Sequence, residues 1–527
     1  MVKSIMVDQL SLDIPDGSTI ALVGFGGMGQ CDKILQAIGK SYKETGHPHS
    51  LTVFHTAGQS DKTNGIEYIA EEGLISTVIG GHWGLAPKMR KLIEENKVDC
   101  YCFPQGQLTH LLRAMANKMP GQLSPIGIGT FIDPRIEGGK FNERTKQKED
   151  LIKVVEIENE EFLLYPSIAF DYVFIRGTSI DENGNITAEE EPLKLEILSA
   201  AHAAKANGGK VIAQVKYVVK KNTMHPKDVV VPGYLVDEYV LVDDPETEHR
   251  QIPSTVYNPV FSGDLRTPTV SFMPLPLDMR KVIGRRAVQE VTSSVVVNLG
   301  IGIPGDVIGP ISHEEGLDEQ MTITLESGIV GGVPIGANEF GVARNADAIL
   351  DHEYLFDYYH GTGIDLTFMG AAEVDQLGNV NVSKFGTRTV GCGGFIDITQ
   401  TAKKVVFCTT FTGGGLHVEI NNGKVEIVQE GRIKKFKNKV QQITYSGRFA
   451  AEHQKDVIYV TERAVFLLSK KGLILTEIAP GIQLEKDILA NMEFQPIISP
   501  HLKEMDVKLF LDGPMKLHPK NDRSFVV

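Results

Sequence analysis

The sequence predicts an α/β protein in which two related open α/β domains are fused in one chain. Three observations predict it. Short β-rich runs break into glycine and then into helix-like segments, the pattern of strand–loop–helix units. One stretch of the first half recurs in the second at constant spacing. A proline-rich connector separates the two copies.

The first observation rests on Ile20-Ala21-Leu22-Val23, which runs into Gly24, and on Val295-Val296-Val297-Asn298-Leu299, which runs into Gly300. The repeat is read from Asp171-Tyr172-Val173-Phe174 and Asp181-Glu182-Asn183-Gly184-Asn185-Ile186. These match Asp365-Leu366-Thr367-Phe368 and Asp375-Gln376-Leu377-Gly378-Asn379-Val380, each 194 residues further on. The register holds to Lys210-Val211-Ile212-Ala213 against Lys404-Val405-Val406-Phe407. Within it, D-x-x-G-N suits a tight turn, because asparagine and glycine tolerate left-handed backbone. Gly24 and Gly300 lie 276 residues apart, so the first copy carries about 82 extra residues before Asp171. The connector, Gln251 to Leu277, holds Pro253, Pro259, Pro268, Pro274 and Pro276, and Asp278 then opens a helix at Met279-Arg280-Lys281-Val282-Ile283. The domains expected are therefore 1–250, a linker at 251–277, and 278–527, with a peripheral tail from Ser499.

Composition narrows the function. The chain has 527 residues, 42% of them hydrophobic, enough for full cores. Its net charge of −14 argues against nucleic-acid or anionic-membrane partners, while leaving room for a small anion in a local pocket. No run approaches ~18 consecutive apolar residues, and the N-terminus meets an acid at Asp8, so neither a membrane span nor a signal peptide is expected. Five cysteines form no CxxC and no zinc-like spacing with histidine. A reducing, cytoplasmic compartment and no metal are the expectations.

Three glycine-rich motifs carry the chemistry. Gly24-Phe25-Gly26-Gly27-Met28-Gly29 and Gly300-Ile301-Gly302-Ile303-Pro304-Gly305 both fit GxGxxG, which after a strand can cradle a dinucleotide pyrophosphate. The alternatives are a tight strand-to-helix turn, or a loop offering amides to another anion. Against the dinucleotide, Glu44 lies in a polar helix end and Pro304 interrupts the second loop.

Met321-Thr322-Ile323-Thr324-Leu325 alternates like a strand and ends in Glu326-Ser327-Gly328-Ile329-Val330-Gly331-Gly332, a carboxylate at a strand's carboxyl end that by itself reads more readily as solvated surface than as an active-site group. Gly391-Cys392-Gly393-Gly394-Phe395 bares three backbone positions, which suits an oxyanion hole or, equally, a close helix–sheet packing turn. At the 194-residue offset, Gly391, Gly393 and Gly394 face Ile197, Ser199 and Ala200, so the copies are chemically unequal.

At these residues the sequence resembles the family I coenzyme A transferases, in particular the single-chain acetate/propionate type that fuses α and β halves. The E-x-G-x-x-G-G run at Glu326 resembles the family's catalytic glutamate turn, and G-x-G-G-F at Gly391 its oxyanion/CoA loop. Val297-Asn298-Leu299-Gly300-Ile301-Gly302 is similar to the other substrate-proximal loop. Supporting stretches include Gly80-Gly81-His82-Trp83-Gly84, Pro104-Gln105-Gly106, Gly127 to Arg135, and Tyr459 to Phe466.

The resemblance implies CoA-transferase-like domains, the first α-like with an insertion, the second β-like and bearing the nucleophile. It implies CoA transfer between a short-chain acyl-CoA and a carboxylate such as acetate or propionate, through a glutamyl-CoA thioester on Glu326. Amides of the Gly300, Ile301, Gly302 loop and of Gly391, Gly393 and Gly394 would hold the oxyanion. Asn345 is a candidate CoA contact, His82 a pocket neighbour, and Lys403 and Lys404 are candidates for CoA phosphates, although ordinary loop, packing and surface roles suit all four. CoA is substrate and covalent intermediate rather than a resident cofactor, and a homotetramer is expected. The rival readings are an acyl-CoA hydrolase on the same scaffold, a GxGxxG dehydrogenase, and a metabolite sensor without turnover.

Overall fold

The structure, a computed structural model, describes residues 2–268 and 274–517. The chain forms two compact units, and neither is one continuous stretch. The first holds Met1–Thr267, Glu326–Asp357 and Ser383–Asp397; the second holds Pro268–Leu325, Tyr358–Val382 and Ile398–Val527. The first hand-over falls inside the proline-rich stretch, between Thr267 and Pro268. The linear boundaries of the sequence reading do not contain the two later segments that return to the first unit.

The first unit is built on a parallel sheet. Its strands run Lys3–Ser4, Glu238–Leu241, Lys210–Val219, Tyr172–Asp181, Thr19–Leu22, Leu51–His55, Ile75–Gly80 and Asp99–Cys102. From Thr19–Leu22 the chain adds strands outward on one side, then returns to add Tyr172–Asp181 and its successors on the other. The direction reverses between those two strands, and ligands of open α/β sheets gather at such a switch point. Tyr172–Asp181 is buried along its whole length, with Val173, Phe174 and Ile175 at 0% exposure, as a parallel strand covered on both faces must be.

The second unit repeats the plan. Met321–Leu325, Val295–Leu299, Leu366–Gly370, Lys404–Cys408 and Asp456–Val460 lie parallel in that order, with the reversal between Val295–Leu299 and Leu366–Gly370. Ala464–Ser469 and Gly472–Ile478 extend the sheet as an antiparallel hairpin. The helix Met279–Val288 forms where expected, and the Asp278 side chain caps it by accepting from the Lys281 amide at 2.8 Å.

The duplication is visible atom by atom. Asp181 Oδ1 accepts from the amides of Asn183 and Asn185, and Asn185 Oδ1 accepts from the Gly233 amide at 3.0 Å. In the second unit Asp375 Oδ1 accepts from Leu377 and Asn379, and Asn379 Oδ1 accepts from Gly447 at 2.9 Å. Both turns use a left-handed glycine, Gly184 at φ +91° and Gly378 at φ +78°.

Two expectations change. The tail is not peripheral: Ile497–Glu504 pairs with Gly472–Ile478, and Arg285, 0% exposed, donates to the Leu511 carbonyl at 2.6 Å. The strand ladders, with Ile20 facing Tyr172 and Val297 facing Leu366, put the glycine loops one residue out of the register read from Gly24 and Gly300. The Gly24 loop also closes on itself. Phe25 and Met28 exchange amide–carbonyl bonds at 2.9 Å, the Gly26 amide donates to Gly58, and a Cβ on Gly27 would meet Pro253 at 2.5 Å. With the Phe25, Gly26 and Met28 amides committed in this way, the loop fits the tight-turn alternative.

Among the described residues no helix is long and apolar enough to cross a membrane.

Candidate active site

Glu326 follows the strand Met321–Leu325 and begins the first returning segment of the first unit. Its side chain is half-buried, while Ser327 and Gly328 behind it are buried. The glycines are required by close approach. Gly328, at φ +113°, lies against the Leu350 carbonyl, and its own carbonyl accepts from the Leu350 amide at 2.8 Å. Gly331 and Gly332, at φ +70° and +76°, leave no space for a Cβ against Asp347 and the Arg344 carbonyl. The Ser327 hydroxyl donates to the Gly341 carbonyl at 2.5 Å. The nucleophile candidate thus projects from a turn sewn to residues 341–350.

The same position of the first copy holds no carboxylate. Ile20 faces both Tyr172 and Val53, and Val297 faces both Leu366 and Ile323. Since Tyr172 and Leu366 are repeat partners, Val53 corresponds to Ile323, and Thr56-Ala57-Gly58 to Glu326-Ser327-Gly328.

The glycine loop Gly391–Gly394 precedes the helix Phe395–Thr401. In the first copy the equivalent helix already runs from Ile197. The second copy therefore lacks the first helical turn and has a loop in its place. Its amides are not equally available. Gly391 donates to the Ser383 carbonyl at 3.2 Å and Gly393 to the Gly81 carbonyl at 2.8 Å. Of the three glycines, only Gly394 has an amide without a hydrogen-bond acceptor among the described residues.

In the second unit, the Gly300–Gly302 loop leaves the strand Val295–Leu299 at the switch point. The Gly300 amide is committed to the Phe368 carbonyl at 2.8 Å, and a Cβ there would meet Met369 Sδ at 2.7 Å. The Ile301 and Gly302 amides have no acceptor among the described residues, Ile301 is 58% exposed, and Gly302 sits at φ +91° with open space around it.

The weaker candidates find structural roles. Both ends of the Asn345 amide engage Thr267, Nδ2 donating to its carbonyl and Oδ1 accepting from its amide, each at 2.9 Å. This pair of hydrogen bonds to one residue's backbone pins the chain at Thr267. His82 bridges Gly391 through its backbone and accepts at Nδ1 from the Gly84 amide at 3.3 Å. Lys403 pairs with Asp365 at 2.7 Å, and Lys404 with Glu290 at 2.7 Å and Asp456 at 3.0 Å. Among the described residues no group of three or more His, Cys, Asp or Glu side chains is placed to hold a metal ion.

Sequence reasoning missed a buried polar chain beside the glycine loop. The Thr56 hydroxyl donates to Glu196 Oε1, Glu196 Oε2 lies 2.6 Å from His352 Nδ1, and His352 Nε2 lies 2.8 Å from Gln105 Nε2. The Gln105 amide then donates to the Gly393 carbonyl at 3.0 Å. Only Gln105 stood in a stretch already singled out, and nothing local marks the others.

The family model for coenzyme A transferase matches residues 3–241. The chain is 47% identical over 504 residues to the acetate CoA-transferase YdiF of Escherichia coli K12, which covers 95% of this chain and 94% of that one. It is 45% identical over 516 residues to the caffeate CoA-transferase of Acetobacterium woodii, covering 97% and 98%. The crystal structure of acyl-CoA transferase YdiF from Escherichia coli O157:H7, in a thioester complex with CoA, matches with a TM-score of 0.91 at 45% identity, over 99% of this chain and 98% of that one. Likeness at this level over nearly the whole length, on a fold built from two copies with one unequal carboxylate, makes this chain a CoA-transferase and a member of the coenzyme A transferase family.

Proposed function

We propose that the enzyme moves CoA between a short-chain acyl-CoA and a free carboxylate such as acetate or propionate, with Glu326 as the nucleophile. The carboxylate attacks the acyl-CoA carbonyl, expelling CoA thiolate and forming an acyl–glutamyl anhydride. The thiolate attacks the glutamyl carbonyl, releasing the free acid and leaving a glutamyl-CoA thioester. A second carboxylate reverses both steps and departs as the new acyl-CoA. Dividing the exchange this way replaces one hard displacement by easier ones. Both intermediates must be kept from water.

Each attack places negative charge on an oxygen, which fixed amide donors stabilise. The Gly394 amide is the donor proposed, because no intrachain carbonyl already holds it; in the second unit, the Ile301 and Gly302 amides are likewise unheld. The observation that carries the reading is Glu326 itself, held half-buried at a strand end by a glycine turn, where the first copy has Thr56. The relative captured as a thioester complex with CoA supports a covalent intermediate.

Relatives of similar identity are named for acetate and for caffeate, so the short-chain preference is part of the proposal. Propionyl-CoA with isotope-labelled acetate or with caffeate tests it. Labelled acetyl-CoA should accumulate with a higher kcat/KM than caffeoyl-CoA. Consumption of propionyl-CoA at an equal rate without any acceptor would instead establish the hydrolase. We further propose a cytoplasmic homotetramer. The compartment is supported by five free, buried thiols, the assembly by family resemblance, and sedimentation of the purified chain decides the latter.

A further inference from the structure

The buried chain from Thr56 to Gly393 ties together the two parts of the site that belong to the first unit. The Leu350 amide donates to the Gly328 carbonyl in the glutamate turn, and two residues later the His352 amide donates to the Leu195 carbonyl at 3.1 Å. The His352 ring, 0% exposed, lies 6.1 Å from Phe25 and 5.5 Å from Phe356, centroid to centroid. Glu196 is 1% exposed and Gln105 is 2% exposed. A hydrophobic core has no need of such a group, because a buried carboxylate and imidazole lose hydration and gain stability only when fully paired. Here each partner is matched. With Nδ1–H donated to Glu196, Nε2 is left as the acceptor for the Gln105 amide, so the Gln105 side chain has one preferred orientation. Its backbone amide holds the Gly393 carbonyl, and a methyl group on Gly393 would lie 3.7 Å from Gln105 Oε1.

We propose that His352, paired with Glu196, is a positioning residue for CoA transfer, acting through Gln105 to hold the Gly391–Gly394 loop in register with the Glu326 turn. Neither touches the reacting atoms. Residues 350–352 fasten the nucleophile's turn by backbone and the amide loop by side chain, so one short segment sets the spacing of both. The first copy contributes Thr56, Gln105 and Glu196; the second contributes His352 and the loop. The consequence for rate rests on the function proposed above, whereas the placement of the loop does not.

Two near-isosteric substitutions separate the bonds. In His352→Asn the short amide still reaches Glu196 but withdraws the acceptor from Gln105. In His352→Gln the longer amide restores an acceptor near the Nε2 position. His352→Asn should lower kcat about 10- to 100-fold with the KM for acyl-CoA within about threefold, because a displaced loop harms the transition state more than binding. His352→Gln should stay within about fivefold of the parent in kcat. Hydrogen exchange in the peptide spanning 383–397 should quicken in His352→Asn and not in His352→Gln. Exchange is read without turnover, so it judges the positioning even if the transfer reaction proposed above fails. Should His352→Asn not fold, Gln105→Leu gives the same reading, a fall in kcat at steady KM. Equal kcat and equal exchange in the Asn and Gln variants, or an unchanged kcat in Gln105→Leu, overturns the proposal.

Discussion

Thr56 and Glu326 stand at equivalent rungs of two repeated sheets, three residues beyond Val53 and Ile323, which face Ile20 and Val297 in matching ladders. The duplicated scaffold therefore offers the same strand end twice and places a carboxylate at only one. At the other, the hydroxyl of Thr56 is a donor to the buried Glu196. One copy supplies a nucleophile and the other supplies support for the loop beside it.

The glycine loop should tolerate a side chain at one position and not at another. A Cβ on Gly391 would meet the Gly81 carbonyl at 2.5 Å, so Gly391→Ala must push the loop from its anchor. We expect kcat to fall about 10- to 100-fold. Gly393, at φ +51°, has nothing closer than 3.7 Å to its missing Cβ. Gly393→Ala should cost only the left-handed backbone strain, ~1–2 kcal/mol in stability, with kcat within about fivefold. Steady-state kinetics beside urea unfolding compares the two, and the reverse ranking contradicts the loop geometry.

Gly394→Pro deletes the loop's uncommitted amide just ahead of the helix that starts at Phe395, where the lost donor has no carbonyl partner. Loss of one oxyanion donor lowers kcat about 100- to 1,000-fold while the protein stays folded. A Gly394→Pro enzyme with parental kcat would remove this amide from the oxyanion site.

The two matched turns should be worth similar amounts. Asn379 is 6% exposed and accepts from the Gly447 amide, while Asn185 makes the corresponding bond to Gly233. Asn379→Ala leaves a buried N–H unsatisfied and should destabilise by ~1–3 kcal/mol. Asn185→Ala should lose a comparable amount. Denaturant midpoints measure both, and a change below measurement in either would show that its turn is not a structural clamp.

Burial pushes the His55 imidazole down from 6.5 to about 4, and its Nε2 has no partner among the described residues. Between those values the unfolded chain binds a proton that the folded chain refuses. This residue's contribution is thus present above pH 6.5 and lost as pH falls towards 4. His55→Phe should flatten the stability profile across that window and leave its slope above pH 7 unchanged. Parallel profiles for parent and variant would contradict the assignment.

Much of this was legible in the sequence. Apolar runs ending at Gly24 and Gly300 located two equivalent strands, and the D-x-x-G-N repeat located two turns that share each hydrogen bond of their Asp–Asn pair. Glu326 was singled out by the resemblance to the family's glutamate turn, because a strand-end carboxylate before glycines suits a solvated surface at least as well. Other features were invisible for physical reasons. The return of residues 326–357 and 383–397 to the first unit depends on packing across hundreds of residues, not on any local period. Which amides are free depends on partners such as Gly81 and Phe368, far away in sequence. Asn345 suited either a ligand contact or an ordinary loop role by residue type, and its bonds to Thr267 could not be read from the sequence. His352 and Glu196 lie 156 positions apart, with no motif to join them.

The most direct test is covalent. The protein is incubated with propionyl-CoA and no acceptor acid, trapped, digested, and searched by peptide mass spectrometry for CoA joined through a thioester. The adduct is expected on the peptide that contains Glu326 and is absent from Glu326→Ala, which should retain its fold but not transfer CoA. An active parent enzyme with no adduct on that peptide, or near-normal transfer by Glu326→Ala, would contradict the assignment of Glu326 as the nucleophile.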